Sequence, residues 1–258
     1  MQKIIPTGRD KIQKINKHST DNSNINKAIT MEQWQKSYET EVEIYDSFSK
    51  SEDKKNRILK KLLKISAFKN KKVLEVGCGS GKYTKLLAPL SKKYFALEIS
   101  KPLIQFAKQK CRGMKNIKFF NCSAEKIPLK DKSVDAVFAS WVLTAMASDK
   151  MRDKSIKEIL RVLRDNGDVW LFENHWKGEF MNLRGKPNRK FERCDIYHLV
   201  KKYGFQISEI IDTNFFFPNL YEAKRILGFM FGNIAINYLN KHPSPQPKHK
   251  VVILHKIK

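Results

Sequence analysis

The residues with the plainest chemical potential are Gly77, Gly79 and Gly81, with Glu75 just before them, in "VLEVGCGSGKY". Glycine is costly to order on folding, so three in five positions need a reason. They follow a run of β-formers and precede a helical stretch. A strand–glycine–helix junction lets a ligand approach the backbone, and it offers the free N–H groups of a helix start. The chemistry implied is the holding of a nucleotide-like ligand. Two such ligands fail on spacing. A dinucleotide fingerprint needs a third glycine where Lys82 stands, and a phosphate-binding P-loop needs a spacing that Gly77 to Lys82 does not have. What remains is E-x-G-x-G-x-G.

The four cysteines, Cys78, Cys111, Cys122 and Cys194, form no C-x-x-C pair, so the sequence supports no zinc site. The amino terminus lacks the apolar core of a secretory signal, and no apolar run is long enough for a transmembrane segment. These features read as a cytoplasmic protein with free thiols.

The elements that must position the glycine loop follow from the periodicity. Strands are expected at 72–76, 94–98, 117–120, 134–139, 168–173, 205–211 and 250–256. Helices are expected at about 81–90, 102–111, 151–163 and 195–203. Steady alternation means βαβ units. The fold class is therefore α/β: a doubly wound, seven-stranded, mostly parallel sheet. Ahead of it, residues 1–28 read as a mobile basic tail and 29–66 as an N-terminal helical cap. The cap places Trp34, Tyr38, Val42 and Tyr45 on one helix face. A second cap helix opens at Ser51, with Ile58, Leu62, Leu63 and Ile65 as its stripe. Residues 67–258 form the main domain, and a helical insert at about 219–242 precedes the last strand. That insert is expected to pack on the domain and roof a pocket. An interfacial membrane helix or a dimer contact are its alternatives.

Four segments in order resemble the class I S-adenosylmethionine-dependent methyltransferases: "LEVGCGSG", "YFALEIS", "CSAEKIPL" and "VDAVFASWVLTAM" followed by "EILRVLRDNGDVWLFE". The likeness covers roughly Lys72 to Ile211. It implies the family's antiparallel last strand, S-adenosylmethionine as cofactor and S-adenosylhomocysteine as product. It assigns cofactor binding to Glu75, Gly77, Cys78, Gly79, Gly81, Glu98, Ile99, Ser123, Ala124 and Ser140. Glu98 would hold both ribose hydroxyls and Ile99 would lie on the adenine. Ser123 stands where the family carries Asp, so the adenine contact falls to Ser123 and the Ala124 backbone. Glu75 and the glycine backbones would hold the methionine part.

Methyl transfer from a sulfonium is an in-line displacement, helped chiefly by alignment and by a base only when the acceptor must lose a proton. The resemblance places the acceptor near Ser140, Trp141, Glu173, Asn174, His175 and Trp176, with Trp141, Asn174 and His175 as the catalytic candidates and His175 as a possible base. Trp141 and Trp176 are candidate walls for a cationic or flat acceptor. The fourth strand lacks the [DNS]-P-P-[YF] of adenine amino-methyltransferases, and no cysteine follows a proline as cytosine C5 enzymes require. Trp141, Val142 and Asn174 are similar to protein N-terminal amine methyltransferases, although Ala145 stands where those carry His.

Net charge is +25, from 51 Lys and Arg against 26 Asp and Glu. Such a field favours anionic partners, nucleic acid among them. The expected activity is methyl transfer to an N or O atom of a small molecule. The alternatives are a tRNA or rRNA substrate, a protein N-terminal amine, and a non-catalytic assembly partner.

Overall fold

A computed structural model describes residues 39–65, 68–186 and 190–258. The expected tail at 1–28, and Trp34 and Tyr38 of the cap, lie outside them. Helices α1 (Val42–Ser51) and α2 (Arg57–Lys64) precede β1 (Lys72–Val76), α3 (Thr84–Leu87), β2 (Lys93–Glu98) and α4 (Lys101–Lys110). Then come β3 (Ile117–Asn121), β4 (Val134–Ser140), α5 (Asp149–Val162), β5 (Leu163–Asn174), α6 (Glu179–Leu183) and α7 (Asp195–Tyr203). The chain closes with β6 (Gln206–Asn214), α8 (Leu220–Phe231), α9 (Asn233–Lys241) and β7 (Lys248–Ile257).

The sheet order is β3-β2-β1-β4-β5-β7-β6. β1 to β5 pair in parallel, and β7 runs antiparallel between β5 and β6. The expected architecture is therefore observed. Winding goes outward from β1 to β3, then restarts at β4 on the other side. That reversal opens a crevice beyond the carboxyl ends of β1 and β4, where open α/β sheets bind ligands.

Successive residues of a strand point to opposite faces, and the central strands are apolar on both. Leu74, Val76, Leu97 and Val137 pack with Ile156 and Ile159 of α5 and Leu199 of α7. Val73, Tyr94, Ala96 and Phe138 pack with Ile58 and Leu62 of α2 and Leu87 of α3. A third cluster joins Phe48 of α1, Phe180 of α6, Phe215, and Leu227 and Phe231 of α8. It fastens the cap and the insert to each other.

Several expected boundaries shift. Ser51 ends α1 instead of opening α2. The acid that caps α2 is Asp53, whose Oδ1 accepts the Arg57 N–H at 2.7 Å and whose Oδ2 accepts that of Ile58 at 2.7 Å. Leu63 of the expected stripe is exposed. The helix expected from 81 is a short α3 followed by a 3₁₀ turn at Ala88–Leu90. The insert is two helices, because Gly232 takes φ 74° and ψ −163°, which ends α8 and redirects the chain. No described helix is long and apolar enough to cross a membrane.

Candidate active site

A cavity of about 270 Å³ lies at the crevice. The glycine loop forms its floor. Gly77 and Cys78 both donate their N–H to the Leu97 carbonyl, at 2.8 and 2.9 Å, which pins the loop to β2. Gly77, Gly79 and Gly81 have φ of 74°, 52° and 79°, a region that side chains rarely adopt. Space is limiting too. A Cβ on Gly77 would overlap Cγ2 of Val142, and one on Gly79 would stand 2.8 Å from Tyr45 Oη. At Gly81 it would meet Ala107 Cβ at 3.0 Å, so this glycine seats α4 against the loop.

Glu98 stands at the end of β2 on the cavity wall. Its Oε2 accepts the Gly79 N–H and its Oε1 the Ser100 N–H, each at 2.9 Å. A carboxylate has roughly four acceptor positions, so about two remain for a ligand. Burial pushes its pKa up, and these N–H groups pull it back. Ile99 is an exposed rim residue, and Asn121 Nδ2 holds the strand end by donating to the Glu98 and Ile99 carbonyls. Ser123 and Ala124 line the same end, with Ser123 Oγ accepting the Glu125 N–H at 3.2 Å. Gly77, Cys78, Ser140, Trp141 and Asn174 also line the cavity.

Four expected side chains are placed elsewhere, and Gly79 and Gly81 are not among the residues that line the cavity. Glu75 is buried beneath the loop and does not line the cavity. Its Oε2 accepts from Thr84 Oγ1 at 2.5 Å and from Tyr94 Oη at 3.1 Å, which ties the end of β1 to α3 and β2. Burial pushes its pKa up to about 7. His175 also stands off the cavity. Its Nδ1 accepts the Lys177 N–H at 3.0 Å, and its ring stacks on Trp176 at 3.9 Å. Trp176 in turn packs on the domain core beside Phe191, so it walls nothing. Glu173 is fully buried. It accepts the Leu143 N–H at 2.9 Å and the Thr144 Oγ1–H at 2.5 Å, fixing the turn after β4.

The other end of the cavity is built by residues outside the expected site, on the cap, on the insert that was expected to roof a pocket, and on α6, which was not expected. Tyr45, Phe48 and Glu52 come from α1 and its end, Lys82 and Tyr83 from the loop, Phe180 and Arg184 from α6 and its end, and Phe231 from α8. Lys82 Nζ donates to the Ser49 carbonyl at 2.6 Å and stands 3.4 Å from Glu52 Oε2. Burial raises Glu52 to about 7 against the pull of Lys82. Trp141 has φ 56°, a rare conformation for a bulky residue, and donates its N–H to the Phe172 carbonyl at 2.7 Å. His249 of β7 is buried behind Asn174, its Nε2 2.8 Å from Asn174 Oδ1. Burial, Arg184 and Lys82 lower its pKa to about 3, so it stays neutral. Asp46 of α1 anchors the cap by accepting from Ser80 Oγ at 2.7 Å and Lys110 Nζ at 2.5 Å. Glu52 sits in a run of acids and lysines that reads as a solvated surface. Asp46 and His249 carry no motif.

The S-adenosylmethionine expected from the resemblance fits the first end. Unused acceptor positions on Glu98 suit a diol, Leu97, Leu103 and Ala124 offer apolar walls, and side-chain-free backbone leaves room above the loop. No group of three or more His, Cys, Asp or Glu among the described residues is placed to hold a metal.

Residues 74–171 match the family profile described as a methyltransferase domain. The chain is 27% identical over 125 residues to the mouse "Probable tRNA methyltransferase 9B", covering 48% of this chain and 24% of that one. It is 29% identical over 154 residues to the wheat phosphoethanolamine N-methyltransferase 1, covering 57% and 30%. The matches thus span about a quarter to a third of these relatives. In fold it is similar to the N-methyltransferase NodS of Bradyrhizobium japonicum, solved with S-adenosyl-L-homocysteine: TM-score 0.51, 13% identity, 77% of this chain and 85% of that one. The glycine loop with its Glu98 partner, the sheet order and the matched stretch agree: residues 74–171 form a class I S-adenosylmethionine-dependent methyltransferase domain.

Proposed function

We propose that this chain methylates an N or O atom of a small molecule. The observation that carries the reading is the closure of the acceptor end. Phe48, Glu52, Tyr83, Phe180 and Phe231 line it, and each is at least nine-tenths buried. Only a compact molecule, or a group inserted whole, fits such a box. Bound S-adenosylmethionine supplies an activated methyl group, so the protein's task is largely alignment and exclusion of water. Glu98 holds the ribose diol, the Gly77–Gly79 backbone holds the methionine part, and Ser123 and Ala124 border the adenine. Tyr45 and Phe48 cover the loop from above. Glu52, a carboxyl poised near neutrality in this end, takes the role of proton acceptor first expected of His175.

A second reading, methylation of RNA, is favoured by the charge of +25 and by the likeness to the tRNA methyltransferase 9B sequence. One described basic cavity, lined by Lys61, Lys64, Lys71 and Arg164, weighs against its use at this site. It lies by the amino-terminal ends of β1 and β5, across the sheet from the glycine loop. The deciding experiment incubates the protein with labelled S-adenosylmethionine and cell extract, then separates metabolites, RNA and protein. Label in the metabolite fraction is expected; label confined to RNA overturns the first reading.

A further inference from the structure

A second cavity, of about 450 Å³, opens by the amino-terminal ends of the strands. Lys61 and Lys64 of α2, Lys71 just before β1, and Arg164, Asp168 and Trp170 of β5 are in its lining. Strand β5 runs from Asp168 here to Asn174 in the catalytic cavity, so the two lie roughly 20 Å apart along it. A molecule bound at the basic end is out of reach of the methyl group.

The charges of this lining are unevenly matched. Lys61 Nζ pairs with Glu209 Oε2. Asp135, also in the lining, accepts the Lys72 N–H at 2.7 Å through Oδ2 and pairs with Arg164 at 3.2 Å through Oδ1. Asp168 Oδ1 lies 2.8 Å from His255 Nε2. Both carboxylates of the lining are therefore engaged. The ammonium groups of Lys64 and Lys71 have no ion pair or hydrogen bond to any described residue. Lys71 is half-buried, where an ammonium without a counter-charge is costly. Trp170 Nε1 is a further donor of the same lining that is buried with no partner. Unmatched donors of this kind are rare in folded chains.

We infer that this cavity binds a phosphate group, with Lys64 and Lys71 as its counter-charges and the paired Lys61 and Arg164 flanking them. A phosphate carries more than one negative charge and three acceptor oxygens, and lysine serves such groups as a point charge. A carboxylate, with one charge and two oxygens, matches two free ammonium groups less well. The phosphate belongs either to a free nucleotide or to an RNA backbone. The site goes beyond the methyl-transfer reading and does not depend on which molecule receives the methyl group.

The test is calorimetry on the whole chain, with S-adenosylhomocysteine present to keep nucleotides out of the catalytic cavity. The probes are inorganic phosphate, acetate, adenosine 5′-monophosphate and a short oligouridylate. Phosphate is expected to bind with a Kd of about 1 mM or tighter, and acetate at least about fivefold more weakly. Lys64→Met and Lys71→Met should each weaken phosphate at least about fivefold. Lys115→Met removes the same charge from an exposed site off this lining and should change it by less than about twofold. All three variants should keep wild-type affinity for S-adenosylhomocysteine, which reports intact folding. If the phosphate arrives on RNA, the oligouridylate binds at least about tenfold tighter than the mononucleotide, with a steep salt dependence that only the two cavity variants reduce. If it arrives on a free nucleotide, the mononucleotide binds at least as tightly as the oligouridylate. Acetate binding as tightly as phosphate overturns the proposal, as does no phosphate binding at about 10 mM. So does an equal loss in Lys115→Met, which would trace the binding to the net charge of +25, or no loss in either cavity variant.

Discussion

The carboxylate of Glu98 and the backbone N–H of Gly79 meet at 2.9 Å, joining the end of β2 to the turn of the glycine loop. One carboxylate thus both shapes the loop and keeps acceptor positions for a ligand. Glu98→Gln should keep the fold but turn an N–H₂ toward the Gly79 or Ser100 donor. A lost charged hydrogen bond of this kind costs about 1.5–3 kcal/mol, so S-adenosylhomocysteine affinity should fall roughly ten- to hundredfold by calorimetry. Wild-type affinity would refute the assignment.

Gly77→Ala should damage cofactor affinity more than stability, because the loop must move off Val142 to make room. Gly113→Ala is the comparison. It has φ 93° but nothing within 4 Å of the new Cβ, so it should show only backbone strain of about 1–2 kcal/mol in a urea titration. Equal effects of the two on cofactor affinity would mean that the close approach is irrelevant.

His175→Ala should leave kcat within about twofold, since the ring stacks on Trp176 outside the cavity. Glu52→Gln should lower kcat far more than KM for an acceptor that loses a proton, and should remove any rate increase between about pH 6 and about pH 8. A large kcat loss in His175→Ala would restore the histidine as base.

Stability should fall with rising pH through a defined window. Glu75 keeps its proton in the folded chain up to about pH 7, whereas its ordinary value is 4.5. Between these values the folded chain holds the extra proton, so stability is greatest below the window and is lost as pH rises through it. Glu52 and Glu173 act in the same direction, each raised to about 7 by burial. Glu75→Gln can still accept from Thr84 and Tyr94. It should match wild type near pH 5 and exceed it near pH 8, by at most roughly 3 kcal/mol. A difference independent of pH would show that Glu75 is ionised throughout.

The residues gathered at the glycine-loop end of the cavity were legible in the sequence because their placement depends on local spacing. The glycines, Glu98 at the end of β2 and Ser123 after β3 lie close to elements whose periodicity is plain. Glu75 misled because its position before the glycines says nothing of which way a β1 side chain faces; the pleat turns it toward Thr84 and Tyr94. His175 misled for a similar reason, being carried past the crevice by the turn after β5. The acceptor end was legible only as an insert expected to roof a pocket; its residues were not, because it joins α1, α6 and α8, far apart in the chain, through aromatic contacts such as Phe48 on Phe231 at 5.7 Å. No local pattern encodes that meeting.

Tyr45, Phe48, Glu52, Phe180, Arg184 and Phe231 all lie outside residues 74–171, the stretch shared with the family. Much of the lining of that end therefore comes from lengths of chain outside the matched stretch, with Lys82, Tyr83 and Trp141 contributed from within it. Exchange of the segments before β1 and after β5 would redirect the methyl group while the machinery that presents it stayed whole. A chimera carrying another member's flanking segments on this central domain should inherit that member's acceptor. Partial likeness, to a probable tRNA methyltransferase and a phosphoethanolamine N-methyltransferase alike, thus leaves the recipient to be read from the flanks.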